Sequence, residues 1–140
     1  GDGARVNGRE FRWRRAVWSV GCLFYLVHVT AAFEFHHAWS HAAAVEHTAQ
    51  FTADVVGWSW GGGIWFNHLF TLAWMADVGW MWLRPAGWLN QPRRFKRAWQ
   101  GFFFFMVFNA TVVFADGAVR WFGLAGCAWI AFRWLKRKSP

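Results

Sequence analysis

Between Glu34 and His47 the chain reads EFHHAWSHAAAVEH, which gathers four of its six histidines and two of its three glutamates into one short run. Imidazole nitrogens beside carboxylate oxygens suit zinc, copper or non-haem iron. On one unbroken helix, Glu34, His37 and His41 fall at i, i+3 and i+7, a single face that can offer three ligands. His36, Ser40, His47 and Asp54 fall on another face and make a second, looser set. The same histidines, with ordinary pKa values near 6.5, also suit a plain titratable helix at the headgroup level of a membrane.

Glu34-x-x-His37 has the spacing that di-iron helical bundles use. A di-iron site needs a second such pair and further glutamates, and the chain has neither. The repeated histidine boxes of membrane hydroxylases and desaturases are absent as well. A different pair, His28 and His68, lies inside apolar sequence. If their segments run antiparallel, both imidazoles sit roughly 7 to 10 Å below the same membrane boundary. Two imidazoles from two helices, among Phe and Trp, are arranged as the axial ligands of haem b are in membrane cytochromes.

Asp77 is the residue hardest to place. A carboxylate well inside a span is disfavoured by about 2.5 to 3.5 kcal/mol on insertion scales, so it requires a partner or a neutral form. Arg84, about a turn and a half further on, and Arg133, at a similar depth in another segment, are the predicted ion-pair partners. A proton relay through Asn67, Thr71 and Asn109 is the sharper alternative. Asp116 and Arg120 are predicted to close the outer end of a helix.

These residues need helices to position them. Residues 16–35 and 64–83 are apolar runs of 20 residues, each reaching about 30 Å as a helix, the thickness of a hydrocarbon core. Residues 98–115 and 119–135 form a predicted helical hairpin. The connection 36–60 is Ala-rich and free of proline, so it is predicted to be helical too, either extending the first span or lying on the membrane with Trp39, Phe51, Val55 and Trp58 inward. Gly57 and Gly61 to Gly63 read as a hinge, since no strand precedes them and no Lys-Ser/Thr follows as a phosphate loop requires. No Gly-x-Ser-x-Gly motif is present, and ordinary hydrolase chemistry has little support.

Composition agrees with a bilayer. The chain is 56% hydrophobic and carries 14 Trp and 16 Phe, more aromatic side chain than one soluble core of this length holds. Its net charge is +8, and all of its cations but Arg120 fall in three clusters: Arg5, Arg9, Arg12, Arg14 and Arg15; Arg84, Arg93, Arg94, Lys96 and Arg97; and Arg133, Lys136, Arg137 and Lys138. Each flanks an apolar block and none interrupts one, which argues against nucleic acid and for the positive-inside pattern. The fold expected is therefore all-α, an integral membrane four-helix bundle with both termini cytoplasmic. The histidine-rich connection then lies on the outer side. Cys22 and Cys127 read as small apolar residues in helix interfaces rather than a disulfide framework, and no cleavable signal peptide is expected.

The leading functional expectation is a small, redox-linked haem- or metal-binding membrane subunit, using His28 and His68 for haem b or the Glu34 to His47 set for a transition metal. One alternative is a structural accessory subunit that packs against other membrane subunits and carries out no chemistry. Another is an oligomeric proton or metal-ion transporter. Catalysis by the chain alone is not expected.

Overall fold

The computed structural model describes residues 8–136; Arg5, Arg137 and Lys138 of the terminal basic clusters lie outside the described residues. Every element is helical: α1 (Gly8–His36), α2 (His41–Val56), α3 (Gly63–Leu83), α4 (Pro85–Leu89), α5 (Arg93–Phe108), a π-helical turn (Asn109–Val113) and α6 (Gly117–Lys136). Two prolines mark the boundaries. Pro85 opens α4 at a position whose missing N–H has no helical partner to lose, and Pro92 sits at the N-cap of α5. The all-α expectation holds. The predicted spans fall within α1, within α3, across α5 and the π-helical turn, and within α6.

The chain divides into two compact units, one of residues 8–54 and 58–91, the other of residues 55–57 and 92–136. In the first, α1 and α3 pack antiparallel along an aromatic stripe. Trp18 meets Trp74 at 4.9 Å between ring centroids, Tyr25 meets Phe70 edge-on at 5.1 Å, and Phe33 stacks on His68 at 6.2 Å. Positions 18, 25 and 33 share a face because steps of seven and eight residues return to nearly the same side of a helix. Gly21 lies on that stripe, where an added Cβ would stand 3.2 Å from the Trp74 ring. The Tyr25 hydroxyl completes the contact, 3.2 Å from Thr71 Oγ1.

Gly61 and Gly63 are close-approach points rather than a bare hinge. A Cβ on Gly61 would come within 2.7 Å of the Val45 carbonyl oxygen, and one on Gly63 within 3.1 Å of the Thr48 methyl, so glycine lets the chain re-enter tightly against α2. In the second unit the π-helical turn is anchored by local bonds. Asn109 Nδ2 donates to the Phe105 carbonyl at 2.8 Å, and Phe114 N–H donates to the Asn109 carbonyl at 2.9 Å. A Cβ on Gly123 of α6 would be 2.5 Å from the Thr111 carbonyl oxygen. The predicted closure of Asp116 on Arg120 is formed, at 3.1 Å.

One described helix, α1, is long and apolar enough by length and composition to cross a membrane. Only 6% of its most apolar stretch is buried, unlike the core helix of a soluble protein. Among the described residues no large side chain is fully buried; the core consists of residues such as Cys22, Ala44, Ile64, Phe70 and Met81.

Candidate functional site

The unbroken helix expected through the histidine run is not formed. α1 ends at His36, and Ala38 and Trp39 adopt left-handed conformations with φ of 44° and 58°. For residues with a Cβ this costs about 1 to 2 kcal/mol each, so something local must compensate. Trp39 supplies much of it. Its backbone N–H reaches the Phe33 carbonyl at 3.1 Å, closing the end of α1, and its indole N–H donates to Glu34 Oε2 at 2.6 Å. Ser40 then starts α2 as its N-cap: its hydroxyl oxygen accepts the Ala43 N–H at 3.2 Å, and its carbonyl accepts the Ala44 N–H at 3.1 Å.

This break overturns the three-ligand face. Glu34 lies on α1, His37 in the turn and His41 at the first position of α2, and the Glu34 carboxylate is engaged by Trp39. Ser40 is a cap rather than a member of a second face with His36, His47 and Asp54. Among the described residues no group of three or more His, Cys, Asp or Glu side chains is disposed to hold a metal ion.

What the turn does assemble is a junction of five imidazoles around Phe33. His37 lies 5.4 Å edge-on from the Phe33 ring, 5.3 Å from His47 and 6.4 Å from His36. His68 of α3, which also meets Phe33, stacks on His41 at 5.4 Å, and Trp65 meets both histidine rings. His37 is half-buried, and its Nδ1 is buried without a hydrogen-bond partner. Burial first, then the neighbouring His47 and His36, push its pKa below the ordinary imidazole value.

The axial pair expected of His28 and His68 is not assembled. His28 is exposed, off the α1 stripe that faces α3, and its ring is not among those His68 touches. The ion pair expected of Asp77 is replaced by neutral donors. Asp77 is buried, with Oδ2 accepting the Trp18 indole N–H at 2.8 Å and Oδ1 accepting that of Trp88 at 2.9 Å. Among the described residues it forms no salt bridge with Arg84, which ends α3 through its backbone N–H to the Trp80 carbonyl. Arg133 stacks over Trp129 in the second unit, at 5.4 Å.

Sequence reasoning missed Trp18 and Trp88 because tryptophan reads as apolar bulk, although each buried indole carries one donor that needs an acceptor. It also passed over the start signal at Ser40, a serine directly before an Ala-rich helical run. No family model matches the chain, and no curated protein or solved structure matches it.

Proposed function

We propose that the chain is a membrane-embedded structural subunit, whose helices supply aromatic and aliphatic surface to lipid and to other membrane polypeptides. The observation that carries this reading is the exposure of its largest apolar side chains. Phe24 is 71% exposed, Phe35 80%, Trp121 73% and Phe122 79%, and exposed Leu, Val, Trp and Phe occur on all the long helices. Surface of this kind marks a membrane or partner interface.

Four spans, α1, α3, α5 with the π-helical turn, and α6, suit this reading. The 21 residues of α3 extend about 31 Å, enough for a hydrocarbon core. Its tryptophans Trp65, Trp80 and Trp82 lie towards its two ends, and tryptophan is favoured at the membrane–water interface. The cations Arg9 to Arg15, Arg84, Arg93 to Arg97, and Arg133 with Lys136 then gather on the cytoplasmic side, which puts both termini inside and the histidine junction outside. Asp77 needs no ion or proton path in this account, because its two indole bonds join α1, α3 and α4. The haem reading lacks support from placement, since His28 and His68 do not share a cavity-facing pair.

Washing membranes that contain the full chain with alkaline carbonate tests the reading. An embedded subunit stays in the pellet. Release into the supernatant in the manner of a peripheral protein contradicts it.

A further inference from the structure

The histidine junction contains one pair of imidazoles whose geometry differs from the rest. We propose that His37 and His47, with His36 as a third donor, form a binding site for a late first-row divalent metal ion, Zn2+ or Cu2+, that clamps α2 to the end of α1. This goes beyond the packing role above and stands whether or not the chain spans a membrane.

Three observations converge on it. The first is distance. A zinc–imidazole bond of about 2.0 to 2.1 Å places each ring centroid about 3.2 Å from the metal, so two imidazoles at a tetrahedral angle stand about 5 Å apart. His37 and His47 stand 5.3 Å apart with their planes inclined at 66°. The pair of His41 and His68 has a similar separation, 5.4 Å with planes 29° apart, but neither of its rings carries a buried nitrogen left without a partner. The second is the orphaned His37 Nδ1, a buried nitrogen without a partner among the described residues. Such an atom forgoes a hydrogen bond, and a metal would supply a partner in its place. The third is the backbone. Ala38 and Trp39 hold left-handed conformations, and the turn they make takes His37 out of α1 and returns the chain so that α2 brings His47 against it.

His36 is exposed at the last position of α1, with its ring 6.4 Å from that of His37, and rotation of its side chain closes the third position. As the side chains stand, two imidazoles are in place and three are not. Water completes a tetrahedral sphere. An all-imidazole set of this kind favours copper and zinc over magnesium or calcium, which take oxygen ligands.

Titration of the metal-free, full-length protein in detergent with Zn2+ alone, and separately with Cu2+ alone, tests the proposal. The expected result is saturable binding of one ion per chain, weakened more than about tenfold by His37→Gln or His47→Gln and unchanged by His28→Gln. Bound Cu2+ should show nitrogen hyperfine coupling from two or three imidazoles in its electron paramagnetic resonance spectrum. His47→Cys guards against simple misfolding, because thiolate is itself a zinc ligand and should restore the Zn2+ binding that His47→Gln removes. Absence of saturable binding overturns the proposal. So does an affinity that survives the His37→Gln, His47→Gln double substitution, or one that falls equally with His28→Gln, the sign of adventitious surface histidines.

Discussion

At the scale of single residues, Asp77 is where burial and charge meet most sharply. Its two carboxylate oxygens each accept an indole N–H, from Trp18 and Trp88, and among the described residues no arginine forms a salt bridge with it. Asp77→Ala leaves two donors unpaired at a buried position, so thermal unfolding in detergent should show a loss of about 1 to 3 kcal/mol; stability equal to the parent would mean that the indole bonds hold nothing. That Asp77 needs a partner is legible in the sequence, because an acid in an apolar run always does. The partners are not legible, since Trp18 lies on another helix and the indole donor is hidden within an apolar residue type. His37 makes a second residue-scale prediction. Burial and two neighbouring imidazoles disfavour its cation, so the folded state takes up this proton at lower pH than the unfolded chain. The stability this gives is full above about pH 6.5 and declines as the pH falls through the folded-state pKa. A nuclear magnetic resonance titration of the metal-free protein should place His37 below the ordinary value, and a midpoint at or above it contradicts the burial seen here.

At the scale of elements, the break between α1 and α2 governs what the histidines can do. Ser40→Ala removes the cap of α2 and should cost about 1 kcal/mol, with faster amide exchange at Ala43. Ala38→Gly should act in the opposite direction, raising stability by up to about 1 kcal/mol, because glycine adopts a φ of 44° without a Cβ penalty. A destabilised Ala38→Gly protein would show that residue 38 is not left-handed in solution. In α6 the comparison is between neighbours: Gly123→Ala meets the Thr111 backbone and should destabilise, whereas Gly126→Ala meets nothing within 4 Å and should be neutral or mildly stabilising. The helices themselves are legible from apolar runs, prolines and Ala-rich composition. The break is less so: Ser40 announces a new helix, but a left-handed Ala38 and Trp39 stand where glycine would have been expected, and they depend on bonds from Trp39 to Phe33 and Glu34 that spacing alone does not reveal. The π-helical turn at Asn109 is hidden for a similar reason, since it rests on the Asn109 side-chain bond to the Phe105 carbonyl and on the close approach of Gly123 to Thr111, neither of which spacing reveals.

At the scale of the whole molecule, the composition foretells the main physical fact, which is more apolar side chain than the fold can bury. Large residues such as Trp13, Phe24, Leu83 and Phe122 are exposed while the buried positions are few and mostly small or medium-sized. Among the described residues α1 is the helix long and apolar enough to cross a membrane by length and composition, and the four-span arrangement proposed above would set the basic clusters on one side. The packing role requires that lipid and protein together cover these faces. Native mass spectrometry of the full chain released from its membrane in mild detergent tests that requirement most directly. The expected result is a complex that contains other membrane polypeptides and so exceeds the mass of one chain by theirs. A stable monomer with the mass of one chain, with no co-purifying subunit, would contradict the packing role.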